Sequence, residues 1–138
     1  MKNLFFVLLF FTVSLFSGEI TYSDTYVEAL KKAKKEHKLV YIIIVSDNCK
    51  WCKKFEKTTL QEKEIKERVN KEFVTVLLSR DKTTIPPIFK TTSSVPRHYF
   101  VDTDGNVLYW AIGYRDKELI NAFMDNAQLK LKQLQEYK

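Results

Sequence analysis

At 138 residues, 45% hydrophobic and 29% charged, the chain has enough apolar material for one domain with a real core, and global disorder is excluded. Its formal charge of +6 is spread over Lys31–Lys35, Lys50–Lys57 and the C-terminal segment, with no Gly-rich basic tract or ordered aromatic platform. That pattern describes a mildly basic solvated surface and argues against nucleic-acid binding.

Met1-Lys2-Asn3 is a short basic start, Leu4 to Phe16 an apolar core, and Ser17-Gly18 a small-residue break before polar sequence begins. This is the layout of a secretory signal peptide, and the core is short of the about 20 residues a membrane span needs. Residues 1–18 are therefore expected to be a leader, and 19–138 one exported domain with no stable membrane insertion once the leader is removed. No cysteine follows the leader, so lipoprotein processing is not supported. Export places the cysteines outside the reducing cytosol.

Ser23 or Asp24 is expected to cap a helix running to about Lys38, with Tyr26, Leu30, Ala33 and His37 on one stripe. His37 reads as a packing or capping residue at the helix end rather than a ligand. Leu39–Val45 is short, apolar and β-branched, the pattern of a buried strand. Ser46-Asp47-Asn48 breaks it with turn-forming side chains, and Cys49-Lys50-Trp51-Cys52 then opens a helix running to about Thr58.

The cysteine pair thus stands where a strand hands over to a helix. Free N–H groups and the positive end of the helix dipole favour a thiolate at Cys49, and Lys50, Lys53 and Lys54 add positive charge. Cys52 falls on the same helical face, within reach of Cys49. Cys49 is assigned as the attacking nucleophile and Cys52 as the resolving thiol. Both cysteines lie in this motif, and a bond closing so small a loop restrains the unfolded chain little, which argues against a purely stabilising role. A zinc site would need further ligands, and His37 and His98 lack paired spacing.

Thr58-Thr59-Leu60 interrupts the helix, and Gln61 to Lys71 resumes it with Ile65 and Val69 inward. Phe73–Leu78 is a second apolar strand, expected to pair parallel with the first. Ser79 to Ser94 shows no sustained period and reads either as a substrate-contacting loop or as a plain connection. Arg97–Val101 and Val107–Ile112 flank Asp102-Thr103-Asp104-Gly105-Asn106, the signature of an antiparallel hairpin. Gly113 permits a bend. A last helix opens at Arg115-Asp116, with Ile120, Phe123, Met124, Ala127, Leu131 and Leu134 as its packing stripe.

Helix, strand, C-x-x-C helix, strand, loop, proline, hairpin, helix: this order resembles the thioredoxin fold over roughly Thr21 to Leu134. Cys49-Lys50-Trp51-Cys52-Lys53 carries the resemblance, together with Ser94-Val95-Pro96 ahead of the strand that ends in Asp104-Gly105. The broken second half of the cysteine helix resembles exported members. The resemblance implies a single α/β domain with a central mixed four- to five-stranded sheet flanked by helices. It implies that Pro96 is cis against the cysteines, with Val95 backbone groups pairing to an extended substrate. Trp51, Val95 and Pro96 are the expected substrate-binding residues. Three positions depart from the family pattern: Lys50-Trp51 replaces Gly-Pro, Asn48 replaces Trp, and Ile43 stands where many thioredoxins bury an Asp. Without that carboxylate the Cys52 proton depends on water, Lys53 or substrate.

The resulting expectation is a periplasmic thiol–disulfide oxidoreductase acting on protein thiols and disulfides. It would hold no organic cofactor beyond a redox-active Cys49–Cys52 disulfide, and a membrane-bound redox partner would recharge it. The resemblance favours reduction as its direction. Two rivals compete: a copper- or zinc-binding protein using Cys49, Cys52 and His98, and a peptide-binding module centred on Val95-Pro96.

Overall fold

The computed structural model describes residues 18–137. Of the expected leader only Gly18 falls among them, so that assignment lies outside the described residues. The elements run α1 (Tyr26–Glu36), β1 (Leu39–Val45), α2 (Lys50–Lys57), α3 (Lys63–Glu72), β2 (Phe73–Ser79), β3 (Arg97–Val101), β4 (Val107–Ile112) and α4 (Lys117–Glu136). Single 3₁₀ turns occupy Thr59–Gln61 and Pro87–Phe89.

The four strands form one mixed sheet in the order β2-β1-β3-β4. β1 pairs parallel with β2, Leu39 opposite Phe73 and Val45 opposite Ser79. It pairs antiparallel with β3 on its other side, and β3 with β4. Every residue of β1 is buried, as a central strand covered on both faces requires. Its side chains alternate. Leu39, Tyr41, Ile43 and Val45 join the core formed with α2, α3 and α4, through Phe55, Ile65, Val69, Ile120 and Met124. Val40, Ile42 and Ile44 join the core on the opposite face, with Ala29 and Ala33 of α1 and with Phe89.

The expected cap at Ser23 or Asp24 is replaced by Thr25, whose side chain accepts from the Glu28 N–H at 3.1 Å. The reason is a non-local pairing. Tyr22 bridges Thr75 of β2 in parallel, and Ser23 N–H donates to the Thr75 carbonyl at 2.8 Å, which holds this segment extended until Thr25. Among the described residues that isolated bridge is the nearest the sheet comes to a fifth strand. His37 does close α1, in the left-handed region at φ 54° with its N–H on the Ala33 carbonyl. The β3–β4 loop is knit by Asp102, whose carboxylate accepts from the N–H groups of Asp104 and Asn106, each at 2.9 Å. Gly105, at φ +87°, lies where an added Cβ would meet the Tyr26 hydroxyl at 3.0 Å. On α4, Ile120, Met124 and Ala127 are buried. Leu134, expected in the same stripe, is exposed because the helix runs on beyond the core.

Candidate active site

Three loops meet at the C-terminal ends of β1 and β2 and the start of β3. The Ser46–Asn48 turn is pinned from below: Asp81, just past β2, accepts from Ser46 Oγ at 2.7 Å and from Asp47 N–H at 2.6 Å. These bonds hold the Asp81 carboxyl below its ordinary range, the Asp47 N–H being the main cause and the Ser46 hydroxyl the second. Ser79 Oγ donates to Asp47 at 3.1 Å, and Lys82 pairs with Asp47 at 3.2 Å. Nothing local in the sequence marks Asp81 for this task. It follows from the parallel register, which brings the exits of β1 and β2 side by side.

The turn delivers Cys49 as the N-cap of α2, in extended conformation, rather than as its first helical residue. Its Sγ accepts the Cys52 N–H at 3.0 Å, so a sulfur performs the capping that a Ser or Asp side chain usually does. A thiolate released there would be stabilised by the same N–H and by the helix dipole. Cys49 and Cys52 form a disulfide, S–S 2.21 Å with Cα atoms 5.2 Å apart. The two sulfurs are unequal: Cys49 is 9% exposed and Cys52 fully buried. Among the described residues no group of three or more His, Cys, Asp or Glu could hold a metal ion.

The third loop ends in a cis Val95–Pro96 peptide. The Val95 carbonyl oxygen lies 3.7 Å from Cys49 Sγ. Beyond it, the Pro96 carbonyl accepts the Gly113 N–H at 2.7 Å, tying this loop to the end of β4. Val95 is thus brought against the disulfide, with Pro96 following it across the cis bond. Trp51 lies on the outer side of α2, half exposed, 5.9 Å from the Tyr114 ring. Lys54 Nζ sits over both rings, at 5.1 Å from Trp51 and 4.7 Å from Tyr114.

Beneath α2 the family's buried carboxylate is absent. Ile43 is fully buried, and its cross-strand partner is His98. His98 is itself buried, with its ring 4.9 Å from that of Phe55. Its Nε2 lies 3.0 Å from the Gly113 carbonyl and its Nδ1 2.9 Å from the Tyr41 hydroxyl. A carbonyl only accepts, so Nε2 carries the proton and Nδ1 accepts from Tyr41. Burial, reinforced by the Arg115 charge, pushes His98 down to about 4 despite the Gly113 bond, and burial raises Tyr41. Both ring nitrogens are therefore engaged, and His98 is not the third metal ligand that the sequence left open. It is a neutral bridge inside the core.

The loop between β2 and β3 divides its work. Ile85 and Phe89 are buried in the core on the α1 face, and the Phe89 carbonyl accepts from Tyr99 Oη at 3.2 Å. Its first residues, Arg80 to Lys82, border the cysteine turn. Arg97, a buried cation that sequence reasoning placed only in a strand, donates from Nη1 to the carbonyls of Phe89 at 2.6 Å and Thr92 at 2.5 Å.

Comparison with known proteins agrees with this geometry. DsbH oxidoreductase superposes with a TM-score of 0.62 at 22% identity, covering 83% of this chain and 86% of that one. A putative disulphide-isomerase from Bacteroides thetaiotaomicron gives 0.64 at 23% identity, covering 81% and 93%. In sequence, spermatogenesis-associated protein 20 of Rattus norvegicus is 36% identical over 55 residues, which is 40% of this chain but 7% of that protein. The thioredoxin-like domain model matches residues 26–128. The chain therefore belongs to the thioredoxin-like domain family, with the Cys49–Cys52 pair at the entrance to α2.

Proposed function

We propose that the protein is an exported thiol–disulfide reductase of protein substrates. The observation that carries this reading is the inequality of the two sulfurs: Cys49 capping α2 beside Val95 and slightly exposed, Cys52 fully enclosed behind it. In the reduced protein the Cys49 thiolate attacks one sulfur of a client disulfide. A Cys49–client bond forms, the client S–S bond breaks, and the second client sulfur leaves as a thiolate. Cys52, once deprotonated, attacks Cys49 Sγ, closes the Cys49–Cys52 bond and expels the first client sulfur. Two electrons pass to the client, and the cysteine pair alone carries them, so no organic cofactor is required. A dithiol partner at the membrane restores the reduced state.

In this reading the Val95 backbone pairs with an extended client segment, and Trp51 with Tyr114 forms an apolar flank. Export is supported by the apolar segment before Glu19. The test is a trap: Cys52→Ala is expected to accumulate mixed disulfides through Cys49, resolvable by non-reducing electrophoresis and reversed by dithiothreitol. Absence of any adduct, with Cys49 titrating like an ordinary thiol, sinks the reading. A reduction potential near about −270 mV supports the reducing direction, and one near about −120 mV reverses it. An exported form whose N-terminus is Glu19 checks the leader.

A further inference from the structure

A cavity of about 560 Å³ opens at the same end of the sheet as the disulfide, lined by Arg80, Lys82, Lys90 and Arg97 with Asp81 and several hydroxyl side chains. Four cations thus face one carboxylate, and that carboxylate is already turned toward Ser46 and Asp47. Arg97 is the informative member. Its residue is 3% exposed, and both acceptors it meets among the described residues are neutral carbonyls, which do not balance its charge. Its Nε is buried with no hydrogen-bond partner among those residues. A desolvated guanidinium with a spare donor and no counter-ion is costly unless an anion reaches it.

The cavity is tied to the exchange site through two of its lining residues. Asp81 is bonded to the turn whose Ser46 carbonyl accepts the Cys49 N–H at 3.2 Å. Arg80 donates to the Ser93 carbonyl, two residues before Val95. An extended segment advances about 3.3 Å per residue, so a side chain a few positions from a client cysteine held at Cys49 reaches this basic lining. We propose that the cavity receives the carboxylate of an acidic side chain flanking the target cysteine, making acidic protein segments the preferred client class. This rests on the reductase reading above for the identity of the occupant.

The test uses the reduced full-length chain and a set of short disulfide-linked peptides, matched except for Glu or Gln at each position within four residues of the cysteine. At one or more positions the Glu peptide is expected to be reduced about tenfold faster, a ratio equivalent to about 1.4 kcal/mol. The preference should shrink as salt rises. Lys90→Glu, at a surface position, is expected to cut it at least about threefold while the Gln peptides react as before. Arg97→Gln should abolish it, and Lys90→Glu keeps the question answerable if Arg97→Gln fails to fold. In parallel, the Cys49→Ala/Cys52→Ala double variant is titrated with the same peptides in their reduced, S-methylated form, and with inorganic phosphate. Equal rates for Glu and Gln peptides at every position overturn the proposal and leave the reductase intact. Phosphate binding without any peptide preference overturns it too. Selective binding of Glu peptides by the double variant, with no exchange by the intact protein, upholds the cavity and sinks the reductase.

Discussion

Along β1, Leu39, Tyr41, Ile43 and Val45 face the layer that holds both cysteines, whereas Val40, Ile42 and Ile44 face α1. The first face mixes sulfur, rings and a polar bridge: Tyr41 stacks on Phe100 at 4.6 Å and holds His98, which meets Phe55, three residues after Cys52 in α2. The second face sets Val40, Ile42 and Ile44 against the rings of Phe89 and Tyr99 and the small residues Ala29 and Ala33 of α1, with no sulfur among its buried residues. One strand therefore serves chemistry with its odd-numbered residues and cohesion with its even-numbered ones. Substitutions on the two faces should have separable effects, and the sharpest are the largest.

Cys49→Ala is expected to reduce exchange with an insulin-type or peptide disulfide to the uncatalysed background, since the attacking sulfur is gone. Its effect on stability is expected to be small, because a four-residue disulfide loop constrains the unfolded chain little. Stopped-flow exchange and urea unfolding measure the two quantities on the same sample. A residual enzymatic rate would move the nucleophile to Cys52 and undo the division between the sulfurs.

Ile42→Ala reverses the pattern. The side chain is fully buried on the face covered by α1, and its truncation is expected to cost about 2–5 kcal/mol. The reduction potential of the Cys49–Cys52 pair should stay where it was, since both cysteines belong to the cluster on the other face of the sheet. A shift in potential would show that the faces are coupled.

His98 tests the first face through pH. Its pKa is lowered from 6.5 to about 4 in the folded protein, chiefly by burial. The unfolded chain then binds the extra proton between these values, so stability is fully present above about pH 6.5 and is lost as pH falls toward about 4. The shift corresponds to about 3 kcal/mol. His98→Gln, whose amide can still donate to Gly113 and accept from Tyr41, should flatten that portion of the stability-versus-pH curve in urea titrations. An unchanged slope would assign the acid sensitivity to carboxylates elsewhere.

Much of this arrangement was legible in the chain because it is encoded locally. Leu39–Val45 is bounded by Lys38 and Ser46, so its extent shows in composition, and the strand found has those same limits. The cysteine helix, the parallel second strand and the Asp-Gly hairpin likewise follow from short-range pattern. What stayed hidden depends on contacts far apart in sequence. His98 stayed open as a third ligand in the rival metal reading because its partners Tyr41 and Gly113 lie 57 and 15 residues away. Arg97 looked like an ordinary strand residue because the carbonyls it clamps belong to a loop with no period of its own. Asp81 acquires its role only once two strands exit side by side.

The N-cap of α1 offers the smallest and cleanest contrast. Thr25 Oγ1 accepts the Glu28 N–H at 3.1 Å, and the buried residues of α1 pack only on the face away from the cysteines. Removing one cap bond is expected to cost about 1 kcal/mol. Thr25→Ala should therefore lower the urea midpoint modestly while leaving both the exchange rate and the reduction potential unaltered. Thr25→Ser, which keeps the accepting oxygen, should restore the loss, since a cap acts through its oxygen and not through its methyl group. Ser23→Ala, at the position first expected to cap, should do almost nothing: the bond made there belongs to the backbone N–H, which donates to Thr75 whatever the side chain is. If Ser23→Ala instead proved the costlier change, the helix would begin two residues earlier and the Tyr22–Thr75 bridge would have to be given up, taking with it the pairing that seals the outer edge of β2.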